Sequence, residues 1–118
     1  MRYFAIIATL LSTTAQAETL TLNSYDVCRG TISMLFDQPV ENVFHVKREG
    51  QNDYVAFAIS NEVREFKCFV DYDAKRVYWG YATGTFSSEV ITVNAYSGDH
   101  MMVIGTAYKS KKWPWVRD

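Results

Sequence analysis

YVAFAISNEVREFKCFVDYDAKRVYWGYA, residues 54–82, decides the fold. Three runs in it repeat with a period of two, the spacing at which strand side chains alternate between faces. Tyr54 to Ser60 puts Val55, Phe57 and Ile59 on one face and Tyr54, Ala56 and Ala58 on the other. Both faces are apolar, so this run reads as a central strand. Arg64 to Val70 turns Phe66, Cys68 and Val70 one way and Glu65 and Lys67 the other. Arg76 to Ala82 places Val77, Trp79 and Tyr81 opposite Tyr78. The links between runs are too short for parallel crossovers, so the strands pair antiparallel.

Working outward, Val43 to Arg48 is a further strand, ended by Glu49-Gly50-Gln51-Asn52. Val90 to Tyr96 and Met101 to Tyr108 are joined through Ser97-Gly98-Asp99, a hairpin signal. Before Pro39 the period changes to that of a helix. From Ser24 to Phe36, Tyr25, Cys28, Ile32, Leu35 and Phe36 share one face. Asn23-Ser24 supplies a cap and Asp26 a first-turn negative charge. Gly30 weakens this helix by up to about 1 kcal/mol. Pro39 stops it at or before Gln38. The expected fold is α+β, with one N-terminal helix packed on a five- to six-stranded antiparallel meander sheet.

The two cysteines, Cys28 and Cys68, fall on the helix stripe and on the core side of a strand. Two independent periods thus aim both sulfurs into one interface, and a disulfide between them is expected.

The start of the chain is tripartite. Arg2 gives a positive start, residues 4–11 (FAIIATLL) an apolar run, and Ala15-Gln16-Ala17 a small-x-small site. This is the pattern of an export signal cleaved after Ala17. Residues 1–17 are then the signal peptide and 18–118 a single small domain, placed in the periplasm or outside the cell. The apolar run is too short to span a bilayer as an ordinary helix, and no other segment is longer. Of the 118 residues 48% are apolar and 15% aromatic, which excludes a disordered chain. Net charge is −1, and −2 once Arg2 is removed, with no clustered basic footprint for nucleic acid.

Candidate chemistry is sparse. His45 and His100 are far apart in sequence and carry no ligand spacing. Ser87 or Ser88, His100 and Asp99 assemble a triad on paper, without a nucleophile elbow. Asp71 and Asp73 fit a turn in which Asp caps its own backbone, and Ala74-Lys75-Arg76 follow where calcium would need more oxygens. No cofactor or metal is expected.

The surplus lies in the aromatics. Tyr78, Trp79 and Tyr81 cluster on one strand, and Trp113 and Trp115 follow Lys109, Lys111 and Lys112 in the tail. Pro114 is expected to keep that tail irregular, folded back with both tryptophans over the open sheet face. Exposed aromatic patches mark partner sites. The expected function is therefore a non-enzymatic interaction protein that binds another protein through an aromatic sheet face formed by Tyr78, Trp79, Tyr81, Trp113 and Trp115. In outline, an export signal, a helix, an antiparallel sheet and one disulfide resemble small exported bacterial inhibitors and immunity proteins. The alternatives are a small-ligand or glycan-binding module that stacks on the same rings, and a small hydrolase.

Overall fold

The helix is bounded as its end signals dictate. In the computed structural model, which describes residues 18–117, α1 spans Ser24–Phe36. The Asn23 side chain accepts from the Asp26 N–H, and Asp37 closes the far end in the left-handed conformation. The chain opens with β1 (Leu20–Thr21). After α1 and a 3-10 turn at Val40–Asn42 come β2 (Phe44–Glu49), β3 (Asn52–Ile59), β4 (Glu62–Asp71) and β5 (Arg76–Tyr81). They are followed by β6 (Ile91–Tyr96), β7 (Met101–Gly105) and β8 (Ser110–Val116). The signal expected at residues 1–17 lies outside the described residues.

The α+β class and the Cys28–Cys68 disulfide hold. The sheet is larger than expected and mixed: eight strands in the order β1-β8-β7-β6-β5-β4-β3-β2. Successive strands from β2 to β8 pair antiparallel, but β1 joins β8 in parallel through Leu20↔Trp115 and Thr21↔Val116. The two additional strands are the lead-in and the tail. From β1 at one sheet edge the described chain crosses by way of α1 to the other edge at β2, and meanders back until β8 meets β1.

The tail corrects a specific expectation. Ser110–Val116 is a strand despite Pro114. Pro114 sits opposite Met101, and beside β8 only the two-residue β1 completes the edge. An edge position tolerates the missing N–H. Alternation then turns Trp113 and Trp115 inward, where they are 7% and 3% exposed.

The sheet curls around the helix. One side of α1 meets β3 and β4, where Cys28 bonds Cys68 and Phe36 packs on Phe57 and Phe66. The other side meets β7, β8 and β1. At Gly30 a Cβ would lie 2.9 Å from Ile104 Cδ1, 3.2 Å from Trp113 Cζ3 and 3.3 Å from Leu20 Cδ1. The helix is therefore buried nearly all round, with Val27, Thr31 and Met34 enclosed as well as Cys28 and Ile32, whereas Tyr25 is exposed. A single stripe was too narrow an expectation.

Burial on two sides brings polar groups inside, and they are paired. Buried Asp26 accepts from the Thr21 N–H at 2.6 Å and from Arg29 at 2.8 Å. Arg29 also binds Glu18 at 2.7 Å and the carbonyls of Val40 and Val43 at 2.9 and 2.6 Å. Burial opposes the charge on Arg29, but the hydrogen bonds and charges of Glu18 and Asp26 outweigh it and raise its pKa. This network ties the lead-in, α1 and the entry to β2 together.

Candidate functional site

The direction of α1 creates an open end. Cys28 lies near Asp53, and Phe36 packs on Phe57. The helix climbs about 12 Å between Cys28 and Phe36, matching about 13 Å of β3 between Asp53 and Phe57. It then stops, while β3 and β4 continue to their hairpin. Ser60 and Asn61, both left-handed, form the tip. Two successive left-handed residues are what a type I′ turn requires.

Beyond Phe36 the inner sheet face is uncovered. A ring cluster lines it. Phe36 lies 4.7 Å from Phe66 and 5.5 Å edge-on to Trp79. Phe57 stacks on Phe66 at 5.6 Å, and Tyr81 touches both Phe66 at 5.2 Å and Trp79 at 5.8 Å. The inner members are buried or half-buried. The outer ones are not: Ile59 is 41% and Tyr81 53% exposed, and Val63, on the hairpin's opposite face, is 62% exposed. Arg64 and Glu62, paired at 3.8 Å, give this end a charged rim. The buried Trp79 Nε1–H finds no acceptor among the described residues, an arrangement that costs roughly 1–3 kcal/mol.

The five aromatic candidates separate into three places. Trp79 and Tyr81 belong to this end. Tyr78 points to the outer face and stacks on Phe69 at 5.8 Å. That face also carries Lys67 over the Phe86 ring and Lys47 over the Tyr54 ring. Trp113 and Trp115 are core residues beneath the other side of the helix, with the Trp115 indole donating to the Tyr96 carbonyl. They do not cover the outer face, contrary to the fold-back expected for them. Ile59 and Phe36 belong to this end although the sequence does not single them out as site residues. The signal was available in the helix length: a chain of alternating residues that outruns its covering helix must leave its last inward positions bare.

The polar candidates have local partners. His45 reaches Asp53 at 3.9 Å and packs on Tyr25 at 4.8 Å. Asp53 is fully buried and pairs with Arg48 at 3.1 Å, and Arg48 also binds the Ser24 hydroxyl. This group fastens the edge strand β2 to the start of α1. His100 lies against Trp115, Asp99 accepts from the Met101 N–H, and the Ser87 hydroxyl accepts from the Glu89 N–H. Asp71 caps the Ala74 N–H, as a turn residue does. Among the described residues no group of three His, Cys, Asp or Glu side chains is placed to hold a metal ion, and no helix is long and apolar enough to cross a membrane.

The fold and this end define a class: a one-disulfide α+β domain whose curled sheet outruns its helix. No protein-family model, curated protein or solved structure matches the chain.

Proposed function

We propose that this chain is an exported, non-enzymatic interaction protein. It acts in the periplasm or outside the cell after cleavage following Ala17, as an inhibitor, immunity or accessory factor. It binds another protein through the open aromatic end of its sheet. The carrying observation is the exposed pair of Ile59 and Tyr81 continuous with half-buried Trp79 and Phe36. Aromatic anchors backed by a rigid core and rimmed by charge have the anatomy of a binding hot spot. The disulfide supports an oxidising compartment.

The test is capture in the native host. The full-length chain carries a removable C-terminal tag, is crosslinked in the cell envelope, and its partners are identified by mass spectrometry. One stoichiometric partner is expected, lost in Tyr81→Ser and Ile59→Ser, and retained in Tyr78→Ala on the opposite face. Retention in the first two variants would move the interface elsewhere. Absence of any stoichiometric partner would overturn the reading.

A further inference from the structure

A second feature lies at the other end of β5. Strand β6 pairs with β5 only through Arg76↔Thr92 and Val77↔Ile91. It then runs on past the start of β5, beside the β4–β5 turn, with the Val93 N–H donating to the Lys75 carbonyl at 3.0 Å. Between this turn and the free length of β6 opens a cleft of about 230 Å³. Its floor is apolar, from Leu22, Val93 and Ala95, and its polar lining is Tyr72, Lys75, Asn94 and Tyr96.

Three properties make this cleft a site rather than a surface dent. Among the described residues of the lining, Lys75 carries the only charge and none is a carboxylate. The Lys75 and Asn94 side chains make no hydrogen bond or ion pair with other described residues, so both polar groups are uncommitted. Lys75 is also held at φ +55, a left-handed backbone unusual for a non-glycine residue. Its N–H donates to Tyr72 at 3.2 Å and its carbonyl accepts from Val93, so both turn and strand fix its position. The volume equals that of about eight waters at ~30 Å³ each, enough for one sugar ring or one amino-acid residue.

We infer that this cleft binds a small carboxylate-bearing ligand, with its acid group on Lys75 and its body against Tyr72 and the apolar floor. An ammonium facing a carboxylate in a partly apolar cleft forms a charge-assisted hydrogen bond, and tyrosine rings suit the compact body of a sugar or an aliphatic residue. The ligand is either an acidic sugar or the C-terminal residue of a peptide. The site is independent of the aromatic end and stands or falls separately.

The experiment is an NMR titration of the ¹⁵N-labelled full chain at millimolar probe. D-Glucuronate and N-acetyl-L-alanine are the acid probes; glucose and N-acetyl-L-alanine amide are their neutral counterparts. Saturable shifts are expected at the amides of Lys75, Val93, Asn94 and Ala95 with an acid probe and not with its neutral counterpart. Tighter binding of glucuronate assigns a sugar acid, and tighter binding of N-acetylalanine a peptide terminus. Lys75→Met should weaken acid binding about tenfold, Lys75→Arg should restore most of it, and Tyr81→Ser should leave it unchanged. Equal binding of the neutral counterparts, an unaffected Lys75→Met chain with a native-like spectrum, or no saturable shift with either acid would overturn the inference.

Discussion

Gly30→Ala sets two quantities against each other inside one residue. In an isolated helix alanine is favoured over glycine by about 1 kcal/mol. Here the added methyl meets three neighbours at once: Ile104 Cδ1 at 2.9 Å, Trp113 Cζ3 at 3.2 Å and Leu20 Cδ1 at 3.3 Å. Favourable carbon contacts begin near 3.5 Å. A single flexible methyl would move aside. Three neighbours from β7, β8 and β1, all buried, have nowhere common to go. Overpacking of this kind costs about 1–3 kcal/mol. Subtracting the propensity gain leaves a net destabilisation of ~1 kcal/mol. For a domain near 100 residues that lowers the melting temperature by roughly 4–8 °C. Gly30→Val adds bulk to the same contacts and should lose more. Thermal unfolding followed by circular dichroism, with the disulfide kept oxidised, measures both. A Gly30→Ala chain that melts several degrees higher would show that propensity governs, and that α1 does not approach β7 and β8 this closely.

Further outcomes concern the staple and the ion network. Replacing Cys28 and Cys68 with Ala opens a cross-link across 40 positions, and the chain-entropy relation values such a loop at about 4 kcal/mol, read as a fall in the urea midpoint. Arg29→Met strands the buried Asp26 carboxylate and two carbonyls, and is expected to destabilise by about 3–5 kcal/mol in urea unfolding. The raised Arg29 pKa fixes the sign of its pH dependence. Its stabilisation is fully present below the ordinary arginine value and is lost only as pH rises through the higher folded value. The stability difference between wild type and Arg29→Met therefore contains no contribution from Arg29 titration between about pH 5 and pH 9. A slope in that window that disappears in the variant would have to come from another group coupled to it.

Local order was legible because it is written in local periods. Asn23, Asp26 and Pro39 bracket a helix that the structure places at the expected residues, and the Phe66/Cys68/Val70 alternation put Cys68 where Cys28 could reach it. What the sequence hid is curvature. A flat sheet would bury one stripe of α1, the stripe through Tyr25 that the helical period singles out. The curled sheet instead encloses Val27, Thr31 and Met34 and leaves Tyr25 outside. The same curvature recruits β8 and the two-residue β1, a parallel pairing between positions some 95 residues apart that no local pattern encodes. Pro114 argues against any regular strand, but an edge position tolerates its missing N–H, and β8 meets only the two-residue β1 on that side.

Curvature also explains why the two candidate sites sit where they do. A sheet that wraps a single helix must break its ladder somewhere, and here the break falls beside β5, which keeps only two paired positions with β6. On one side of those pairs β5 runs on without β6, and the 82–90 segment that joins the two folds against it. Phe86 bridges to Gly80 and the Ser87 N–H donates to the Trp79 carbonyl. Gly80 is required at that approach, because a Cβ would lie 2.5 Å from the Thr85 carbonyl oxygen. Trp79 and Tyr81 are thereby braced from behind while Tyr81 stays open in front. On the other side β6 overshoots the β4–β5 turn and leaves the cleft at Lys75. A fully laddered β5 would have closed that gap with backbone hydrogen bonds and left no exposed lysine beside an apolar floor. The short β5–β6 ladder thus bears on both places: it leaves the cleft at Lys75, and it lets the 82–90 segment brace the rings of an end that α1, by stopping short, leaves open.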